Sequence, residues 1–333
     1  MSPSAVVVGA GISGVACAQV LRAGGVQVRV LDRGHRPGGR MGARAVELPG
    51  GGRHVVDTGA AYFTVSDPDF AAVVSGWSDA GLARPWTDTL AVAGPGGLRG
   101  TTAGPQRWAA PGGLRGLVDH LATGLDVASG RTARSVGVVD GRPAVDGEPA
   151  EAVVLAMPDP QAGRLLDVAA ADGLASARRV LSRPWSPVVT VWGAWEQRWW
   201  PELDAAFVND DPVLSLVADD GRRRGDGAPV LVAHSTGEAA QPHLHRPEAL
   251  VEPVLEHLGD VLGTPRPPAP LQVGVQRWSF ASPTEPHEEP CWVGGVATGL
   301  LGVCGDGWGG RPRVEQAWRS GRDLGRALLE RAA

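Results

Sequence analysis

The stretch from Ala5 to Asp32 constrains this chain more than any other part of it. Ala5-Val6-Val7-Val8 is short, unbroken and β-branched, the pattern of a parallel strand buried on both faces. Gly9, Gly11 and Gly14 follow at once. Ile12, Val15, Ala16 and Cys17 continue at helical spacing, and Val26, Val28, Val30 and Leu31 form a second strand that ends on Asp32. Strand, glycines, helix, strand and acid in that order make a dinucleotide-binding βαβ unit. Gly9 permits the tight turn, Gly11 lets the backbone approach a pyrophosphate, and Gly14 allows close packing of helix on strand. The first helical turn, with Ile12 and Ser13, aims its amides and dipole at the phosphate charge. Asp32, 18 residues beyond Gly14, is placed to accept hydrogen bonds from ribose hydroxyls. A glycine turn without a ligand is the competing reading, and the complete context weakens it.

Composition excludes several classes. A chain of 333 residues suits two interleaved domains that enclose a large cofactor. Its 31 basic and 36 acidic residues give a charge of -5 without a long basic stripe, so no nucleic-acid partner is expected. Every basic residue counted there is arginine, because the chain has no lysine; with 48 glycines and 28 prolines this indicates a GC-rich, bacterial source. Cys17, Cys291 and Cys304 have no framework spacing, which favours a reducing, cytoplasmic setting. The apolar run begins after Met1 to Ser4, so no export leader is expected, and no stretch of ~20 apolar residues predicts a membrane span.

After Asp32 the chain runs Arg33-Gly34-His35-Arg36-Pro37-Gly38-Gly39-Arg40-Met41. Pro-Gly-Gly-Arg-Met resembles the second glycine motif of the flavin amine oxidases. That resemblance implies FAD, with Gly38 and Gly39 allowing backbone approach and Arg40 making bidentate contact with the phosphates, which lysine could not match. A glycine turn with a solvated arginine is the alternative. From Val56-Asp57-Thr58-Gly59-Ala60-Ala61-Tyr62-Phe63-Thr64 onward the chain is similar to renalase and its bacterial relatives, a branch of that superfamily. The likeness recurs in order at Trp108 to Leu114, at Val153 to Pro158, at Leu231 to Thr236, at Gln276-Arg277-Trp278 and at Cys304-Gly305-Asp306-Gly307-Trp308. It implies an α/β fold in which a discontinuous Rossmann-type FAD-binding domain is joined to a mixed-sheet substrate domain, the p-hydroxybenzoate hydroxylase-like topology. It also implies a cofactor set that includes Arg33, Met41, Thr58, Gly59, Ala60, Thr132, Met157, Gly305, Asp306 and Trp308, with Asp306 on ribityl or ribose hydroxyls. Cys304 stands where such relatives commonly have glycine. Neither Cys291 nor Cys304 lies in surroundings that suit a covalent flavin, so non-covalent FAD is expected.

The domains are therefore expected to be discontinuous, with residues 1–66, 110–160 and 270–333 binding FAD and 67–109 and 161–269 binding substrate. Val188 to Val191, Leu214 to Val217 and Val230 to Ala233 predict strands of the second sheet, and Leu250 to Leu262 predicts an amphipathic helix. Val314, Ala317, Trp318, Gly321, Leu324 and Leu328 recur at helical spacing, which predicts a helix from near Gly310 with Pro312 in its first turn. Its positive end would stabilise an anionic reduced flavin in the family arrangement. Pro265 to Pro270 reads as a rigid connector.

Absences shape the expected chemistry, because the flavin itself carries the redox step. Many flavin amine oxidases hold a lysine near flavin N5 and flank the amine with two tyrosines; here there is no lysine, and Tyr62 is the one tyrosine. Trp278 and Trp308 remain as aromatic walls. The renalase resemblance implies oxidation of the 2- and 6-dihydro isomers of NAD(P)H to NAD(P)+, with hydride passing to flavin N5 and dioxygen reduced to hydrogen peroxide. Tyr62, His234 and Trp278 are the candidates that face the nicotinamide ring; a hydrogen-bonded core histidine is the alternative for His234. A flavin oxidoreductase for an amine or other small metabolite is the first alternative function, and a flavin-binding protein without turnover the second. No metal is expected, because His243, His245, Glu248 and His287-Glu288-Glu289 lack zinc-ligand spacing. Trp192, Trp195, Trp199 and Trp200 read as core, and Arg222-Arg223-Arg224 as a solvated turn. A monomer or homodimer without a membrane partner is expected.

Overall fold

The structure, a computed structural model, describes residues 4–48 and 51–332; the lead Met1–Pro3, on which the export-leader expectation partly rests, lies outside them. By backbone contacts the chain divides into two units, Met1–Gly39 with Val118–Trp185 and Ser282–Ala333, and Arg40–Leu117 with Ser186–Ala281. Residues 40–66, 110–117 and 270–281, expected with the cofactor domain, thus fall in the second unit, and 161–185 fall in the first. The helix Asp172–Val180 accounts for part of that difference, since Leu174 and Ala177 are buried in the same core as Val296 and Leu301.

The first unit is built on a six-stranded sheet. β1 (Ser4–Val8), α1 (Ile12–Ala23) and β2 (Gln27–Asp32) form the predicted βαβ unit. β1 pairs in parallel with β2 on one side and with Ala152–Leu155 on the other; Gly299–Val303 and Asp126–Ser129 extend the parallel run, and Trp292–Val296 closes one edge antiparallel. The registers match Val8 with both Leu31 and Leu155, and Leu155 with Val303. All four strands therefore end level, and the chain leaves each of them at one edge, where parallel α/β sheets bind ligands. Three short strands within 136–149 form a small meander.

The carboxy-terminal helix spans Val314–Ala332 and lies along α1. A Cβ at Gly321 would collide with the Ser13 carbonyl, and one at Gly325 would sit 2.7 Å from Val20 Cβ, so two glycines set how closely these helices pack. This helix begins later than expected. Gly309 and Gly310 have φ of 85° and 92°, outside helical space, and both amides donate to the His287 carbonyl instead, at 3.0 and 2.9 Å.

The second unit carries an eight-stranded mixed sheet in the order Gln272–Pro283, Trp185–Ala194, Val230–Ser235, Leu214–Asp219, Ala205–Val208, Arg84–Gly94, Gly97–Ala109, Phe63–Thr64. The three predicted strands lie side by side, second to fourth from the Gln272–Pro283 edge. One face packs on the helix Val251–Val261 through Val191, Ala206, Val217, Ala233, Val254 and Leu258, with Trp195 and Trp200 in the same core. Part of the other face is covered by the hairpin of Ala43–Glu47 and Arg53–Asp57 through Val46 and Val56. Among the described residues no helix is long and apolar enough to cross a membrane.

Candidate functional site

In the first unit the two glycine motifs meet. Gly9 adopts φ 109°, and a Cβ there would come within 2.5 Å of the Ala156 carbonyl oxygen. The Gly14 position likewise leaves no room for a side chain, because the Gly9 carbonyl occupies it. Gly11 differs: it precedes α1 without a side-chain cap, and a Cβ there would meet nothing within 4 Å. The first amides of α1, at Ile12, Ser13 and Gly14, are thus left without a competing side chain. Gly38 donates to the Ala10 carbonyl at 2.9 Å, and a Cβ on Gly39 would touch Gly11 Cα at 3.2 Å, so the second glycine pair lies on the first turn.

Asp32 ends β2 with both oxygens oriented by the backbone. Oδ2 accepts from Ala10 N–H and Oδ1 from Gly34 N–H, each at 2.6 Å, which leaves lone pairs on both oxygens for further donors. Arg33 beside it is exposed, and so is Thr132, one residue beyond the point where Arg131 N–H donates to the Asp32 carbonyl. Met157 is half-buried just past the strand Ala152–Leu155.

The last turn on this edge follows Val303. Gly305 N–H is tied to Ser320 Oγ at 3.1 Å, and Asp306 is half-buried beside it. Trp308 is only 2 % exposed; its ring stacks on the His287 imidazole at 3.7 Å and 12°, which places it in the interior of this unit rather than free as a wall. His287 Nε2 pairs with Asp159 Oδ2 at 2.7 Å, and the His287 amide donates to the Gly307 carbonyl at 2.8 Å. His287, considered in the sequence only as a metal ligand, instead organises the Gly305–Gly310 turn. Burial pushes the Cys304 thiol pKa up; burial and then Asp323 push Cys291 to about 11.

In the second unit Arg40, Gly42 and Thr58–Ala60 form one clasp. The Arg40 carbonyl accepts from Ala60 N–H at 2.9 Å and blocks any side chain at Gly59, while Gly42 O accepts from Thr58 and Gly59. Arg40 Nη1 donates to the Ala281 carbonyl at 3.0 Å, and Met41 is buried. Trp278 Nε1 donates to the Thr58 carbonyl at 2.7 Å, so this half-buried ring stands fixed beside the clasp.

The register of the eight-stranded sheet aligns Phe207, Leu216, His234 and Thr190 as direct cross-strand neighbours, hence on one face. Phe207 and Leu216 share a cluster there with Ala61, Tyr62 and Trp86. Tyr62 lies 6.3 Å from Trp86, and the Arg107 guanidinium stands 5.3 Å over the Tyr62 ring. Two of the three ring-facing candidates, Tyr62 and His234, thus belong to one face; Trp278, on the edge strand, is tied to Thr58 instead. His234 Nε2 is buried without a partner among the described residues, and burial, then the Arg223 charge, lowers its pKa to about 4. The ring is neutral near pH 7.

Arg223 and Arg224 are not the solvated turn expected. Asp220–Arg224 is a helix in which both are buried. Arg224 pairs with Asp57 at 2.6 Å and with Asp220 at 3.3 Å; Arg223 pairs with Asp220 and donates to the Ala61 carbonyl at 2.8 Å, next to Tyr62. His54 bridges Asp220 at 2.8 Å and Asp226 at 2.6 Å. Burial alone would lower the His54 pKa, but Asp220 and Asp226 raise it; burial opposes the Asp220 charge, but Arg223 and Arg224 hold that carboxyl well below its usual range. Only Arg222 fits the sequence expectation, reaching the exposed Glu202 at 2.8 Å. The partners lie on segments 57–61 and 110, which no local pattern could have announced. Among the described residues no group of three or more His, Cys, Asp or Glu is placed to hold a metal.

Comparison with known proteins agrees with this geometry. The model of the flavin containing amine oxidoreductase family matches residues 88–329, and that of an NAD(P)-binding Rossmann-like domain matches 7–76. Putrescine oxidase solved with putrescine superposes with a TM-score of 0.70 at 15 % identity, covering 99 % of each chain. Cyclohexylamine oxidase from Brevibacterium oxydans IH-35A superposes at 0.72 and 14 % identity, covering 100 % of each. At such identities these likenesses concern the fold.

Proposed function

Because the chain belongs to the flavin containing amine oxidoreductase family and is an FAD-dependent oxidoreductase, we propose that it oxidises the 2- or 6-dihydro isomers of NAD(P)H to NAD(P)+. FAD fits the residues present: the uncapped amides after Gly11 suit a diphosphate, and the spare lone pairs of Asp32 suit ribose hydroxyls. Asp306 serves the ribityl or ribose hydroxyls, and binding is non-covalent, in keeping with thiols that burial keeps protonated. When bound, the flavin supplies the two-electron acceptor. The overall reaction balances as dihydro isomer plus dioxygen plus one proton to NAD(P)+ plus hydrogen peroxide.

The observation that carries this reading is the character of the Tyr62 face. The strands Trp185–Ala194, Ala205–Val208 and Val230–Ser235 contribute no acidic side chain, Asp219 of Leu214–Asp219 lies with Leu231 on the opposite face and Asp88 is exposed, His234 is neutral, and the cation over Tyr62 is Arg107. Such a surface repels an ammonium group and accepts a planar ring whose attached groups are neutral or anionic. Tyr62 and Trp278 hold the ring by stacking, and the unpartnered His234 Nε2 hydrogen-bonds a polar substituent on it. Arg223 fixes the Ala61 carbonyl and so positions Tyr62. The enzyme works in this reading in a bacterial cytoplasm, as a monomer or homodimer, with three free thiols.

A second reading, oxidation of an amine, is favoured by the family model and by the amine substrates of the two structural relatives. An anaerobic screen separates the two. Dihydronicotinamide isomers should bleach the yellow holoenzyme within seconds while amines leave it coloured; bleaching by amines alone would overturn the proposal.

A further inference from the structure

Arg107 is the buried cation of the second unit that stands apart from the ionic network. Its residue is 5 % exposed, comparable to Arg223 and Arg224 at 1 and 4 %. Those two are neutralised by Asp220 and Asp57. Arg107 has no carboxylate partner among the described residues: Nη1 donates to the Asp88 carbonyl at 2.8 Å, and Nε is buried with no acceptor. Taking a guanidinium out of water without a counter-charge costs several kcal/mol. Stacking over Tyr62 at 5.3 Å and Phe207 at 5.9 Å offsets part of that cost and also fixes the group on the ring-bearing face. The remaining edge of the fork, Nη2, lies beside Gly104, where a Cβ would come within 3.0 Å of it. Gly104 is exposed and sits in the irregular register between Arg107 and Ala103, so the strand carries no side chain where an approaching group would need room.

We propose that Arg107 is the anchor for an oxyanion of the substrate, a phosphate or a carboxylate, held at Nε and Nη2 beside Gly104. The fork geometry of a guanidinium suits two oxygens of one such group. This deepens the proposed function in one respect, that Tyr62 marks the substrate face: a nicotinamide dinucleotide brings a diphosphate, whereas a simple alkylamine brings no anion.

The test measures binding rather than turnover. Dissociation constants of ADP-ribose, inorganic pyrophosphate and benzoate are determined for the FAD-loaded enzyme by tryptophan fluorescence, in the wild type and in R107Q, R107K and G104A. The wild type should bind at least one probe, R107Q should weaken it 10- to 100-fold, the span of a charge-assisted pair, and R107K should recover part of the loss. G104A, which keeps the charge but narrows the approach, should weaken it severalfold. Preference for ADP-ribose over benzoate assigns the anion as phosphate, and the reverse assigns a carboxylate. The proposal is overturned if the wild type binds none of the probes, or if folded, FAD-loaded R107Q binds as the wild type does. Should R107Q not fold, wild-type affinity in both R107K and G104A overturns it equally. Flavin bleaching is read separately: loss of anion affinity in R107Q without bleaching by dihydronicotinamides sinks the proposed reaction and leaves the anchor standing.

Discussion

The pKa values of His234 and His54 are shifted in opposite directions within the same unit, and each makes a distinct claim on stability. For His234 the folded pKa of about 4 lies below the ordinary 6.5, so folding favours the neutral ring. Its contribution is complete above pH 6.5 and is lost as pH falls toward 4, by an amount on the order of 3 kcal/mol at most. His54 has a raised pKa because Asp220 and Asp226 outweigh burial, so its contribution is complete below 6.5 and is lost as pH rises through the folded value. Urea midpoints measured from pH 4 to 9 should therefore fall at both ends. H234Q should flatten the acid limb and H54Q the alkaline limb; a variant in which the matching limb is unchanged would refute the assignment for that residue. Neither behaviour was legible in the sequence. His234 stands out there as a ring-facing candidate on an apolar strand, but nothing near it in sequence predicts the burial and the Arg223 charge that shift it, and the carboxylates that meet His54 lie 166 and 172 residues away.

At the scale of elements, the decisive packing is between α1 and Val314–Ala332. Gly321 rests on the carbonyl of Ser13, in the first turn of α1, so the spacing of the two helices sets the position of that turn. G321A inserts a methyl where that carbonyl lies. It should lower stability by roughly 1–3 kcal/mol, the usual cost of overpacking, and lower the FAD content of purified protein; unchanged melting and stoichiometry would show that the helices can separate freely. The helix itself was plain from its apolar spacing, and so was the βαβ unit, because each is encoded by residues within one or two dozen positions. Its start was not, since Gly309 and Gly310 are diverted by a carbonyl from His287. Arg223 and Arg224 in the Asp220–Arg224 helix depart from the sequence for the same physical reason: a run of arginines looks solvated until Asp57, Ala61 and Ala110 arrive from far along the chain. Arg107 belonged to no motif, and only its burial without a counter-charge singles it out.

Across the whole molecule, the first unit is assembled from three separate stretches of chain, and the turns we propose for the cofactor come from two of them: Gly9–Gly14 and Asp32–Gly39 near the start, Gly305–Trp308 near the end. The strands before these turns are brought level only through Ala152–Leu155, which pairs with both β1 and Gly299–Val303. A ligand that engages turns separated by ~300 residues contributes its binding energy to folding of the unit as a whole, because no single stretch presents the complete site. Holoenzyme should then melt above apoenzyme by an amount that grows with free FAD, about 4 kcal/mol at a thousandfold excess over Kd. D32A, which removes two backbone anchors and the proposed ribose acceptor together, should shrink that increment more than it lowers the melting of the apoenzyme. Equal losses in both forms would mean that Asp32 only holds the Ala10 and Gly34 turns, and that the ribose is bound elsewhere.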